Sequence, residues 1–161
     1  MQANENKILI LGMGNDILTD DGIGIKITKV LEKKFPFPNI IYDTLSLGGL
    51  EIIEYIRDFK MVILIDAIKT LNGIPGTVYQ FVPEDFKETS HLSNVHDVSF
   101  LTSLKLAKEL DIPTPEEVHI IAIEIVEDMV FSNDFTPQVQ ARYPEILEEV
   151  SEIVKELLEN I

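Results

Sequence analysis

The sequence contains no cysteine. That absence removes disulfides, zinc knuckles, iron–sulfur clusters and a thiol nucleophile together, so any metal must be held by carboxylate oxygen and imidazole nitrogen. Basic residues are also scarce: 13 Lys plus Arg stand against 28 Asp plus Glu in 161 residues, a formal net charge of -15. A field of that sign repels phosphate backbones and anionic lipid, which argues against nucleic acid or a membrane surface as partner and favours a positive or metallic one. Long apolar runs are missing too. No stretch approaches the roughly 18 apolar residues of a membrane span, and Met1 to Lys7 is polar, so the expectation is a cytoplasmic protein.

What is present is enough for a packed core. Apolar residues make up 45% of the chain, and the mean hydropathy is +0.14, unlike a disordered chain of the same charge. The length fits one domain over residues 1–161.

Apolar runs and helical spacings alternate along the chain. Lys7 to Leu11 reads as a buried strand that stops at Gly12-Met13-Gly14-Asn15. From Asp20 onward, Ile23, Ile27, Val30 and Leu31 keep helical spacing until Pro36-Phe37-Pro38. Asn39 to Asp43 reads as a second strand, and Leu50, Ile53 and Ile56 as a short helix. Met61 to Ile65 is a third strand ending at Asp66. Thr77 to Val82 alternates like an edge strand, Pro83 to Asn94 is polar and irregular, and Val98, Leu101, Leu104 and Ala107 give another helix. Val118 to Ile123 is the last buried strand. Thr136-Pro137 predicts a helix start, with Thr as cap and Pro in the first turn. Tyr143-Pro144 should kink or restart that helix, which then continues to the end of the sequence.

This alternation implies an α/β fold with a mostly parallel sheet covered on both faces. Ligands then bind outside the carboxyl ends of the strands, where strand order reverses. The segments that matter are Gly12 to Asp21, Asp43 to Gly49, Asp66 to Lys69 and Glu124 to Glu127.

Gly12-Met13-Gly14 after a strand invites a nucleotide reading, in which Asp43 would hold a ribose hydroxyl. The third glycine of that fingerprint falls at Ile17, however, and Asp16, Asp20 and Asp21 occupy the turn where a pyrophosphate needs donors. Each repulsion would be on the order of 4 kcal/mol at an effective dielectric of about 20.

The same acids suit a cation better. Helix-dipole compensation alone could account for Asp20 and Asp21. It does not account for Asp66, which follows a wholly apolar run and is costly there unless paired or ligated. If the first and third strands are neighbours, Asp66 and the Gly12 to Asp21 loop share one crevice. His96, at the start of a predicted helix, is kept neutral by the helix dipole and able to bind metal, although packing or capping is the commoner role of a single histidine. His119 lies in a strand and reads as structural. His91 has nothing to fix its direction. Two aspartates and a histidine could take nickel, zinc, manganese or iron and leave positions open. No Gly-x-Ser-x-Gly elbow supports a serine triad, and although chemistry alone allows a proteolytic aspartate dyad, a short α/β chain gives no reason to prefer one.

Leu11-Gly12-Met13-Gly14-Asn15 with Thr19-Asp20-Asp21-Gly22-Ile23-Gly24 resembles the opening signature of the hydrogenase maturation endopeptidases. The resemblance continues through Leu64-Ile65-Asp66-Ala67, Pro75-Gly76-Thr77, Val95-His96-Asp97-Val98 and Phe135-Thr136-Pro137-Gln138-Val139, in order over nearly the whole chain. It implies a three-layer α/β/α sandwich around a five-stranded, mostly parallel sheet with one edge strand antiparallel.

It also implies an endopeptidase that removes the carboxyl-terminal extension of a nickel-loaded nickel-iron hydrogenase large-subunit precursor. The metal-contacting and catalytic residues would be Asp21, Asp66 and His96, with Asp21 standing where many members have glutamate. The nickel would be supplied by the substrate, so no permanent cofactor is expected. Two loops depart from the family pattern, Leu45-Ser46-Leu47-Gly48-Gly49 and Ile125-Val126-Glu127; both border the crevice and bear on substrate identity. The rival readings are a nickel carrier or checkpoint protein that cuts nothing, and a nucleotide binder using Gly12, Gly14 and Asp43.

Overall fold

The computed structural model describes residues 6–46, 48–85 and 95–161, with backbone alone for 95–99. Strands β1 (Ile8–Met13), β2 (Ile40–Leu45), β3 (Met61–Ile68), β4 (Val78–Phe81) and β5 (Glu117–Glu124) alternate with helices α1 (Ile23–Lys34), α2 (Leu50–Ile56), α3 (Val95–Glu109) and α4 (Pro137–Glu159). They form one sheet in the order β2-β1-β3-β5-β4. All neighbours are parallel except β4, which runs antiparallel to β5 at the edge. A mostly parallel sheet with one antiparallel edge is the architecture expected from the sequence.

Alternation along the strands sorts the core into two halves. Ile8, Ile10, Ile63, Ile65, Ile121 and Ile123 face α1 and α4. Leu9, Leu11, Val62, Leu64 and Ile120 face α2 and α3. Because successive side chains of a strand point to opposite faces, continuous apolar runs become a sheet buried on both sides. The result is three layers.

Glycines bring α1 close to the sheet. A Cβ on Gly24 would lie 2.2 Å from the Ile65 carbonyl oxygen, and one on Gly12 would lie 2.5 Å from the Gly24 carbonyl oxygen. These two glycines let helix and strand backbones touch.

Three local expectations change. β3 runs on to Ile68 instead of ending at Asp66, since its ladder with β5 continues through Asp66↔Ala122 to Ile68↔Glu124. The segment before α1 is a 3-10 turn over Thr19–Gly22, so the α-helix begins at Ile23 and not at Asp20. α4 does not restart at Pro144 but runs as one helix from Pro137 to Glu159. Its buried face, with Val139 before the proline and Ile146, Val150 and Val154 after it, packs as one stripe on the sheet and holds the two parts together.

Candidate active site

Strand order reverses between β1 and β3: the chain leaves β1 for β2 on one side and returns to β3 on the other. Leu11 pairs with Leu64 and Gly12 with Ile65, so the loop after β1 and the carboxyl half of β3 share this switch point. A pocket of about 90 Å³ opens there, lined by Met13, Gly14, Asn15, Leu18, Asp21, Ser46 and Asp66. That space is large enough for a few water molecules. Asp21 and Asp66 are 6% and 5% exposed, so two buried carboxylates border one recess. Asp66 also borders a narrow apolar cleft with Met13, Phe81, Phe100 and Leu101.

The loop after β1 is shaped by its own polar groups. The Asn15 backbone N–H donates to Asp21 Oδ2 at 2.9 Å, and the Gly14 N–H donates to the Leu45 carbonyl at 3.2 Å. Gly14 has φ +134°, and a Cβ there would lie 2.0 Å from the Asp21 carbonyl oxygen. The glycine therefore admits the chain's own backbone where a nucleotide reading would place a phosphate. Asp43 is also engaged: it lies inside β2, its Oδ1 accepts the Thr44 N–H, and its Oδ2 accepts the Tyr55 hydroxyl. Both findings weigh against nucleotide binding.

The adjacent acid has another task. Asp20, fully buried, accepts the Val126 and Glu127 backbone N–H groups and the Thr136 hydroxyl at Oδ2, and the Thr136 N–H at Oδ1. Four charge-assisted bonds satisfy the carboxylate and tie the loop after β1 to the start of α4. Helix-dipole compensation does not describe this role. Thr136 does sit at the cap position with Pro137 next, but its side chain makes no capping bond to its own helix.

The remaining acids of the crevice segments shape loops. Glu124, 2% exposed, accepts the Thr70 N–H and hydroxyl and the Tyr79 hydroxyl. Glu127 accepts the Asp128 and Met129 N–H groups. His119 sits near the amino end of β5, away from the crevice, with its ring 3.2 Å from the Glu117 carboxylate. Ser46 lines the pocket from the loop after β2, a residue that the sequence located only as part of a segment.

Position 96 lies in the first turn of α3, as the sequence predicts; the His96 side chain and all of His91 fall outside the described residues. Among the described residues no group of three or more His, Cys, Asp or Glu side chains is arranged to hold a metal. Among them, too, no helix is long and apolar enough to cross a membrane.

Comparison with known proteins gives the family. The family model for HycI, hydrogenase maturation protease, matches residues 25–153. The chain belongs to the hydrogenase maturation protease family. It is 30% identical over 158 residues to the hydrogenase 2 maturation protease of Escherichia coli, covering 93% of this chain and 92% of that one. Among solved structures, the hydrogenase maturating endopeptidase HybD from Escherichia coli superposes with a TM-score of 0.70 at 25% identity, covering 93% of each chain. A solution structure of an Escherichia coli endopeptidase gives a TM-score of 0.72 at 25% identity, covering 89% of each. For a hydrogenase maturation protease the expected substrate is a hydrogenase subunit.

Proposed function

We propose that this hydrogenase maturation protease is an endopeptidase that removes the carboxyl-terminal extension of a nickel-loaded nickel-iron hydrogenase large-subunit precursor. Asp21, Asp66 and His96 contact the nickel that the substrate brings, and through it the scissile peptide is held in the crevice. The observation that carries this reading is the pocket shared by Asp21 and Asp66, which come from different parts of the chain and are both buried. Two buried carboxylates lining one pocket favour a cation there, and oxygen donors suit a divalent metal. Position 96 lies one helical turn before Phe100 in α3, and Phe100 borders the same cleft as Asp66, which supports adding His96 to the set.

Asp21, Asp66 and His96 would hold the substrate's metal from this side and so orient the peptide; the metal would supply Lewis-acid polarisation of the scissile carbonyl or activation of a water. In this reading the metal belongs to the substrate, and no thiolate is required of this chain, which has none.

The test is incubation of the purified protein with nickel-loaded and nickel-free precursor, read by mass spectrometry. The expected result is a shortened product from the nickel-loaded form alone. Equal cleavage of both forms contradicts nickel sensing, and no cleavage of either contradicts the peptidase reading.

A further inference from the structure

Met129, Val130 and Phe131 stand consecutively in the loop between β5 and α4, with Met129 and Phe131 81% and 77% exposed. Ile17, in the loop after β1, is exposed as well, and its carbonyl accepts the Ser132 N–H at 3.0 Å. The four apolar side chains therefore belong to one joined pair of loops at the carboxyl edge of the sheet. Leu18 and Asp21, from the same loop as Ile17, line the acidic pocket.

A flexible loop could turn such residues inward, but this one is fixed from behind. The backbone N–H groups of Val126 and Glu127 are bonded to Asp20, and those of Asp128 and Met129 to Glu127. The Thr19 hydroxyl donates to the Val130 carbonyl at 2.5 Å, and Leu18 forms a parallel bridge with Ser132. The apolar side chains are thus presented on a backbone already held by hydrogen bonds. Ordering a loop on association opposes binding, and here that ordering is already done. Contiguous exposed apolar residues mark interaction surfaces.

We propose that Met129, Val130 and Phe131, with Ile17, form a docking ridge that receives an apolar surface of the hydrogenase subunit beside its scissile segment. This rests on the peptidase reading above. Ile17 directly precedes Leu18, which lines the pocket, and the loop of Met129 to Phe131 is bonded to that same loop, so a substrate entering the pocket passes close to the ridge. A second copy of the chain suits the ridge poorly, because each copy carries a formal charge of -15 and like charges repel.

The experiment compares wild type with the double variant Met129→Ser/Phe131→Ser and a conservative control, Met129→Leu/Phe131→Leu. The loop is held by backbone groups, so equal unfolding midpoints are expected. Binding of nickel-loaded precursor is measured separately from cleavage. The serine variant should bind about tenfold or more weakly, as loss of central apolar anchors does. Its KM should rise to match, with kcat at saturation within about twofold of wild type, and the leucine control should retain binding.

Unchanged binding and KM in the serine variant, while wild type cuts, overturns the ridge and leaves the peptidase reading standing. Wild type that binds without cutting, with binding lost in the serine variant, supports the ridge and overturns the peptidase reading. No binding by wild type overturns the ridge. A wild-type dimer that the serine variant dissociates, seen by sedimentation, assigns the surface to a second copy and also overturns it.

Discussion

Asp20 and Thr136 lie 116 residues apart, yet the Thr136 hydroxyl donates to Asp20 Oδ2 at 2.8 Å and the Thr136 N–H to Asp20 Oδ1 at the same distance. The cap residue at the head of the last helix is thereby anchored to the loop after the first strand. That loop also carries Asp21, so the geometry of the acidic pocket depends on a bond to the far end of the chain.

Replacing Asp20 with Ala removes the acceptor for three backbone N–H groups and a hydroxyl. Unpaired buried donors each oppose folding, and the combined loss should be about 2–4 kcal/mol, below the simple sum because the loop can relax toward water. Urea unfolding should show the midpoint falling with little change in slope. An unchanged midpoint would mean that these bonds contribute nothing net.

Asp21→Asn and Asp66→Asn keep shape and volume but lose charge. Each should reduce processing of nickel-loaded precursor by at least about a hundredfold, while the circular dichroism spectrum and the unfolding midpoint stay near wild type. His96→Ala should behave likewise. Normal processing by any of the three would remove that residue from the proposed metal-contacting set.

Pro144 is exposed within α4 and lacks the N–H that a helix interior uses. Pro144→Ala should therefore stabilise the protein, by about 1–3 kcal/mol, although the alanine chain also gains freedom when unfolded. Thermal unfolding reads the difference directly. Destabilisation would mean that the helix is shaped around the proline.

Tyr55 and Tyr42 have hydroxyls raised to about 12 from the usual 10, both chiefly by burial, with the Asp43 carboxylate adding to Tyr55 and the Glu32 charge to Tyr42. The folded state therefore holds these protons more tightly than the unfolded state. Stability from this source is fully present below pH 10 and declines as the pH rises toward 12. Phenolate absorbance should show the delayed titration in the folded protein, and Tyr55→Phe should remove one delayed group. Ordinary titration of both near pH 10 in the folded state would contradict it.

The sequence carried the layers and the place of the crevice. Apolar runs of Ile and Leu, spaced by helices, require a sheet covered on both faces, and the alternation within each run sorts Ile8 and Ile10 from Leu9 and Leu11 without reference to anything distant. These are local signals, because side-chain direction repeats every two residues in a strand and about every 3.6 in a helix. Strand order put Asp66 beside the loop after β1, and that neighbourhood was legible as a condition: if β1 and β3 pair, the acids share a crevice.

Tertiary structure alone decided what two adjacent aspartates do. Asp20 turns its carboxylate to the loop before α4, while Asp21 borders the pocket; nothing local distinguishes them, since the donors that engage Asp20 lie more than 100 residues away. The continuation of β3 past Asp66 likewise depends on the ladder that β5 offers. Hydrogen-bond partners are set by which strands become neighbours, and that is a property of the assembled sheet and not of any one segment.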